Sequence, residues 1–97
     1  MKKVKDIAIF GAGGFGREVA CLLRKINAVE PTWNFIGFYD DGLEKGSRVD
    51  YGEILGGIAD LNVVDRPLSE VVALGNPKTL QTVVEKITND NIDFPNI

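Results

Sequence analysis

Two kinds of hydrophobic pattern alternate along this chain. Short, nearly continuous apolar runs are typical of parallel strands covered on both faces, and they predict strands at residues 6–10, 33–39 and 71–74. Between these runs, apolar residues recur at positions i, i+3, i+4 and i+7, which predicts helices over residues 14–27 and 77–89. Strands that alternate with helices in this way indicate an α/β protein with a parallel sheet.

Weaker patterns occupy the rest of the chain. They predict a short extended piece at 54–57, a short helix at 58–61, a polar loop at 43–51 and a final extended segment at 92–97. With right-handed crossovers, the four main strands would form a Rossmann-like, doubly wound parallel sheet of order about 2-1-3-4. The length of 97 residues predicts a single domain.

The turn between the first strand and the first helix carries the most informative motif, G-x-G-x-x-G. Gly11 allows a sharp turn, Gly13 lets a ligand approach the backbone, and Gly16 lets the helix pack closely on the strand. The free N–H groups and the dipole of the helix then favour an anion, so we predict a site for a phosphate-bearing ligand. A tight turn whose glycines serve packing alone is the alternative. The candidate contacts are Gly11, Ala12, Gly13, Gly14, Phe15 and Gly16.

Two further segments are expected beside this turn. Asp40 and Asp41 follow the second strand, where dinucleotide-binding folds place an acidic residue that accepts hydrogen bonds from ribose hydroxyls. A solvated Asp-Asp-Gly turn is the alternative for this pair. Gly75 and Asn76 follow the third strand, with Asn76 as the predicted N-cap of the next helix. Ligands of such sheets bind where the strand order reverses, so the two glycine-containing turns should face each other across one crevice.

Composition limits the chemistry that this chain can perform. It contains no histidine and one cysteine, which argues against His-rich metal sites, thiolate clusters and Ser-His or Cys-His catalysis. We therefore predict neither a catalytic residue nor a metal site. A net charge of −3 argues against nucleic-acid binding. No apolar run approaches the roughly 20 residues that span a membrane, and no signal peptide is evident. The one cysteine, Cys21, cannot form an internal disulfide, so we expect a cytoplasmic protein.

Four ordered motifs together resemble one family. They are IFGAGGFGREV at residues 9–19, FIGFYDD at 35–41, EILGG at 53–57 and ALGNP at 73–77. In this combination the chain resembles the N-terminal domain of bacterial sugar acetyltransferases of the NeuD and PglD type. In these enzymes a Rossmann-like domain is joined to a left-handed β-helix of hexapeptide repeats. The resemblance covers essentially the whole chain.

The resemblance implies a substrate-binding role. In that family the N-terminal domain binds a nucleotide sugar, often a UDP-linked amino sugar. The β-helix binds acetyl-CoA, carries the catalytic histidine and forms trimers. By position, the glycine loop would face the sugar phosphate, Asp40 and Asp41 would lie near the nucleoside, and Gly75 and Asn76 would close the other side. Several members carry histidine where this chain has Phe15, which puts the identity of the sugar in question.

The resemblance also implies that this chain is one part of a larger enzyme. The chain stops where the β-helix of the family would begin, so we expect the substrate domain of a longer, homotrimeric enzyme. We expect no cofactor in this domain.

Two alternatives stay open. The first is a small NAD-binding module, which would use the glycine loop and Asp40 in the same way but needs room for a nicotinamide pocket. The second is a non-catalytic regulatory domain whose crevice is vestigial.

Overall fold

Strands and helices alternate as the apolar patterns indicate. The computed structural model describes residues 4–97, so the first three residues of the predicted domain lie outside it. Within that range the strands are β1 (Lys5–Phe10), β2 (Trp33–Tyr39), β3 (Arg48–Val49), β4 (Gly52–Gly56), β5 (Leu68–Val72) and β6 (Ile92–Asp93). The helices are α1 (Gly14–Val29), α2 (Ile58–Leu61) and α3 (Pro77–Lys86).

These strands form one sheet of order β3-β4-β2-β1-β5-β6. Neighbouring strands run parallel, except that β3 and β4 form an antiparallel pair. The predicted Rossmann-like fold is confirmed, and the predicted order holds for the strands it included, because β2, β1, β5 and β6 are neighbours in that sequence. The hairpin β3–β4 extends the sheet beyond β2; β4 overlaps the extended piece predicted at 54–57, whereas β3 was not predicted.

The hairpin replaces part of a predicted loop. Residues 48–49, assigned to the loop at 43–51, form β3. Backbone hydrogen bonds join Gly46 N–H to the Ile54 carbonyl oxygen and Ile54 N–H to the Ser47 carbonyl oxygen, both at 2.8 Å. A two-residue edge strand has too few residues to show an alternating pattern, and β3 is defined by the antiparallel pairing of Arg48 with Glu53 and of Val49 with Gly52.

The strand β5 begins three residues before the predicted start. It spans Leu68–Val72, whereas the apolar run predicted a strand at 71–74. The difference arises because Ser69 and Glu70 are polar, yet both are buried in the sheet. Ala73 lies just beyond β5 and still donates a hydrogen bond to the Phe10 carbonyl oxygen at 2.8 Å.

The sheet separates two hydrophobic cores. Successive residues of β1 point to opposite faces, and both faces are covered, which explains its continuous apolar run. On one face the buried residues are Ile7, Ile9, Ala12, Val19, Ala20, Leu23, Phe38, Ile54 and Ala73, with the helical members supplied by α1. On the other face they are Ala8, Phe10, Tyr39, Leu61, Leu68, Val83 and Ile92, with Leu61 from α2 and Val83 from α3.

This arrangement brings the predicted site segments to one edge of the sheet. The strands β2, β1 and β5 are parallel neighbours, so their carboxyl ends meet there. The glycine loop, residues 40–41 and residues 73–76 follow these three ends, and α1 and α3 begin at the same edge. Of the helices in residues 4–97, none is both long and apolar enough to cross a bilayer.

Candidate functional site

Two backbone N–H groups of the glycine loop donate hydrogen bonds to the end of β2 and the residue after it. Gly11 N–H donates to the Tyr39 carbonyl oxygen at 2.8 Å, and Ala12 N–H donates to Asp40 Oδ2 at 3.0 Å. On the other side, β1 is joined to the segment after β5 by the hydrogen bond from Ala73 to Phe10. The loop therefore starts from a fixed position between two neighbouring strand ends.

The four glycines of the loop have different structural roles. Gly11 has φ +102°, and a Cβ there would lie 2.8 Å from the Ala73 carbonyl oxygen. A Cβ on Gly16 would overlap the Gly11 carbonyl oxygen. At Gly13 and Gly14, by contrast, an added Cβ would meet no atom within 4 Å. Gly11 and Gly16 thus serve the turn and the packing, whereas Gly13 and Gly14 border open space.

The N-terminus of α1 has no capping side chain. Gly13 is its N-cap, no side chain accepts a hydrogen bond there, and the first turn contains no acidic residue. The first N–H groups of a helix have no partner within the helix, and the helix dipole makes this end favourable for an anion. Arg17 follows at the end of the first turn. This combination is suited to a phosphate group.

The other two helices start differently. Asn76 caps α3, as predicted, because its Oδ1 accepts from Lys78 N–H at 2.9 Å and from Thr79 N–H at 3.2 Å. At α2, Ile58 N–H donates to Asp41 Oδ1 at 2.9 Å, and Asp60 Oδ2 accepts from Gly57 N–H at 3.0 Å. Among the helices of residues 4–97, α1 alone lacks a side-chain acceptor at its start.

The two aspartates after β2 both make hydrogen bonds within the protein. Asp40 is half-buried and uses both oxygens, since Oδ1 accepts from Gly42 N–H at 2.8 Å while Oδ2 accepts from Ala12 N–H. Asp41 is exposed and accepts from Ile58 N–H through one oxygen. Each carboxylate oxygen has a further lone pair, so these bonds leave acceptor capacity for ligand hydroxyls.

The remaining predicted residues border the same edge. Gly75 is exposed, and an added Cβ there would meet nothing within 4 Å. Asn76 caps α3 through its oxygen, which leaves its amino group as a hydrogen-bond donor. Phe15 lies in the first turn of α1, and 49% of its surface is exposed.

Sequence reasoning missed a cleft beside the start of α1. It has a volume of about 410 Å³ and is lined by Gly14, Arg17, Glu18, Cys21, Asp50 and Tyr51. Arg17 reaches across it to Asp50 at 3.0 Å, and Arg24 lies over the Tyr51 ring at 5.4 Å from the centroid. Asp50 and Tyr51 belong to the hairpin turn, which the sequence pattern placed in a loop, so nothing predicted their contact with α1.

A second cavity lies at the opposite end of the sheet. It has a volume of about 480 Å³ and is lined by Lys5 and Asp6 of β1, by Leu68 and Ser69 of β5, and by Asp93 of the neighbouring strand β6. Ser69 Oγ donates to Asp93 Oδ1 at 2.7 Å. Although it is the larger of the two cavities, it contains none of the predicted site residues, and ligands of parallel sheets bind at the carboxyl end.

Glu70 is a buried carboxyl that the sequence did not single out. Its side chain is inaccessible to solvent, and neither carboxyl oxygen has a hydrogen-bond partner among the described residues. Burial raises the pKa of Glu70 to about 9. Burial, together with the charges of Glu70 and Asp60, also raises the pKa of Tyr39. Alternation along β5 places Glu70 on the face covered by α2 and α3, away from the glycine loop.

Within residues 4–97, no group of three or more His, Cys, Asp or Glu side chains comes together in a way that could hold a metal ion. The acidic residues of the site act instead as acceptors for backbone N–H groups, as at Asp40, Asp41 and Asp60. The chemistry that this edge of the sheet offers is therefore hydrogen bonding and a positive helix end, which suit the binding of an anionic ligand with hydroxyl groups.

Comparison with known proteins identifies the family. The family model described as the PglD N-terminal domain matches residues 6–87. This range includes the glycine loop, both aspartates after β2, and the segment with Gly75 and Asn76. Comparisons with curated proteins and with solved structures gave no match. Because the family model covers most of the chain, the resemblance found in the sequence is confirmed, and the chain belongs to the PglD N-terminal domain family.

Proposed function

We propose that this domain binds a nucleotide sugar, such as a UDP-linked sugar, as the substrate domain of an acetyl-CoA-dependent sugar acetyltransferase. The observation that carries the proposal is the uncapped start of α1 beside open space at Gly13 and Gly14. Membership of the PglD N-terminal domain family supports it independently.

In this proposal the phosphates lie against the start of α1. The absence of a side chain at Gly13 and Gly14 lets phosphate oxygens approach the backbone N–H groups closely. The helix dipole and the nearby Arg17 guanidinium add positive potential. Arg17 is half-exposed and paired with the exposed Asp50, and such a surface ion pair is weak enough to be exchanged for a phosphate.

The rest of the ligand would extend along the same edge. Asp40 and Asp41 border the nucleoside, where their remaining lone pairs accept hydrogen bonds from ribose hydroxyls. Gly75 and Asn76 close the opposite side, and the Asn76 amino group supplies a donor. The exposed ring of Phe15 offers an apolar surface against which part of the ligand packs.

Acetyl transfer itself would belong to another part of the enzyme. In the proposal, acetyl-CoA and the catalytic histidine are held by a C-terminal β-helix domain, through which the full-length protein forms a homotrimer. This chain contains no histidine, so its contribution is to hold the acceptor sugar in place. It needs no cofactor of its own for that task.

Calorimetric titration of the 97-residue chain tests the proposal directly. The titrants are UDP-N-acetylglucosamine, UDP and NAD, each added to the same protein preparation. We expect both uridine nucleotides to bind and NAD to bind more weakly. The reverse result, NAD binding without a response to either uridine nucleotide, would favour a small NAD-binding module and contradict the proposal.

A further inference from the structure

Asp40 connects the end of β2 to the glycine loop. Its Oδ2 accepts from Ala12 N–H at 3.0 Å, across 28 residues of sequence, and its Oδ1 accepts from Gly42 N–H at 2.8 Å. Hydrogen bonds to an ionised carboxylate are stronger than those between neutral groups, so this contact restrains the loop more than a backbone pair would.

Ala12 is the buried residue that comes directly before the exposed part of the glycine loop. Ala12 is 9% exposed, whereas Gly13, Gly14 and Phe15 are exposed. Ala12 N–H is held by Asp40, and the next backbone bond is from Arg17 N–H to the Gly13 carbonyl oxygen at 3.0 Å. The N–H groups available to a ligand therefore come directly after the residue that Asp40 holds.

We infer that Asp40 is the positioning residue of the glycine loop, which it holds through the Ala12 amide so that the following N–H groups already face the phosphate site before a ligand arrives. The inference rests on the proposed function for the identity of the ligand. Because the Ala12 amide is already bonded, the phosphate contacts fall to the residues after it. Fixing a loop in its bound conformation reduces the entropy lost on binding, which raises affinity.

The Asp40→Asn substitution is designed to remove the hydrogen bond to Ala12 and to keep the one to Gly42. An asparagine can still accept from Gly42 N–H through its single oxygen. In that orientation its amino group faces Ala12 N–H, donor against donor, and the bond to the loop is lost; unchanged exchange at the Gly42 amide shows that the side chain has this orientation. Asp41→Asn is the matched control, since it makes the same change at the adjacent residue. Asp41 uses only one oxygen, for Ile58 N–H, and asparagine can keep that bond.

The experiment measures amide hydrogen exchange by NMR in the ligand-free chain, and UDP affinity by calorimetry. In Asp40→Asn we expect exchange at Ala12 to accelerate and UDP affinity to fall, each by about tenfold, the size expected for one charge-assisted hydrogen bond. Asp41→Asn should leave Ala12 exchange unchanged. Exchange at the Ile9 amide in the core of β1 reports whether either variant has lost global stability.

Each other outcome has a definite meaning. Unchanged exchange at Ala12 in Asp40→Asn overturns the inference, and so does faster exchange with unchanged UDP affinity. If Asp40→Asn does not fold, the scalar coupling across the hydrogen bond between the Ala12 amide nitrogen and the Asp40 carboxyl carbon, measured in the wild-type chain, decides whether the contact exists. A wild-type chain that does not bind UDP contradicts the proposed function instead, and the coupling and exchange still test whether Asp40 holds the loop.

Discussion

The carbonyl oxygen of Gly11 occupies the space that a side chain at Gly16 would need. The two residues are the first and last glycines of the motif, and their contact brings the start of α1 close to the end of β1. Gly13, between them, has no comparable neighbour, since a Cβ there would meet nothing within 4 Å. The same motif thus contains glycines with opposite requirements, and substitutions can distinguish them.

Gly16→Ala should destabilise the fold, because the new methyl group would overlap the backbone of Gly11. Overpacking of this kind costs about 1–3 kcal/mol of unfolding free energy, or more where backbone must move. Gly13→Ala is the matched control and should cost about 1 kcal/mol or less, because the methyl group enters open space and only the N-cap preference changes. Urea denaturation of both variants measures the difference. Equal losses of stability would contradict the packing role of Gly16.

Gly13→Val should abolish nucleotide-sugar binding and leave the chain folded. The backbone at Gly13, with φ −80° and ψ −162°, lies in the extended region that valine adopts readily. Its branched side chain would fill the open space where we propose that the phosphates lie. Calorimetry with UDP-N-acetylglucosamine and thermal denaturation should be run on the same sample. A folded variant with wild-type affinity would indicate that the glycines serve packing alone.

Stability should fall as the pH rises, because of Glu70. Burial raises the pKa of this carboxyl from 4.5 to about 9, so the folded protein keeps a proton that the unfolded chain releases. The contribution of this retained proton to the free energy of unfolding is fully present below pH 4.5 and is lost as the pH rises towards about 9. Between these values the free energy of unfolding should fall by about 1.4 kcal/mol per pH unit. Free energies of unfolding measured across this range test the slope.

Glu70→Gln is the control for this prediction, since glutamine has a similar shape and stays neutral at every pH. The variant should lack the Glu70 contribution to the pH slope and should be more stable than the wild type at neutral pH. Glu70 also raises the pKa of Tyr39 from its ordinary value of 10.0, but Tyr39 titrates above this range, so between pH 4.5 and about 9 the difference between the two curves isolates Glu70. Parallel curves would show that the buried carboxyl is ionised in the folded protein.

Asn76→Ala should cost about 1 kcal/mol of unfolding free energy through loss of the N-cap of α3. The substitution leaves Lys78 N–H and Thr79 N–H without their side-chain acceptor. Asn76→Ser should retain most of the stability, because a serine hydroxyl can accept the same bonds. Thermal denaturation of the three proteins compares them. A serine variant as unstable as the alanine variant would rule out the cap as the cause.

The sequence by itself determined the features that depend on neighbouring residues. Apolar runs defined β1 and β2, helical spacing defined α1 and α3, and the Asn76-Pro77 pair defined the start of α3. The glycine motif indicated the turn after β1 and the tight packing of α1. These signals are reliable because strand and helix periodicity and helix capping are local properties of the chain.

Only the tertiary structure decided the features that depend on distant partners. The strand β4 pairs with β2, and β3 with β4, across the sheet, while β5 includes Ser69 and Glu70 because β1 pairs with both and β6 pairs with Ser69. The bond of Asp40 to Ala12 spans 28 residues, and that of Arg17 to Asp50 spans 33. Such contacts have no pattern in the sequence, because each depends on where the folded sheet brings two unrelated segments together.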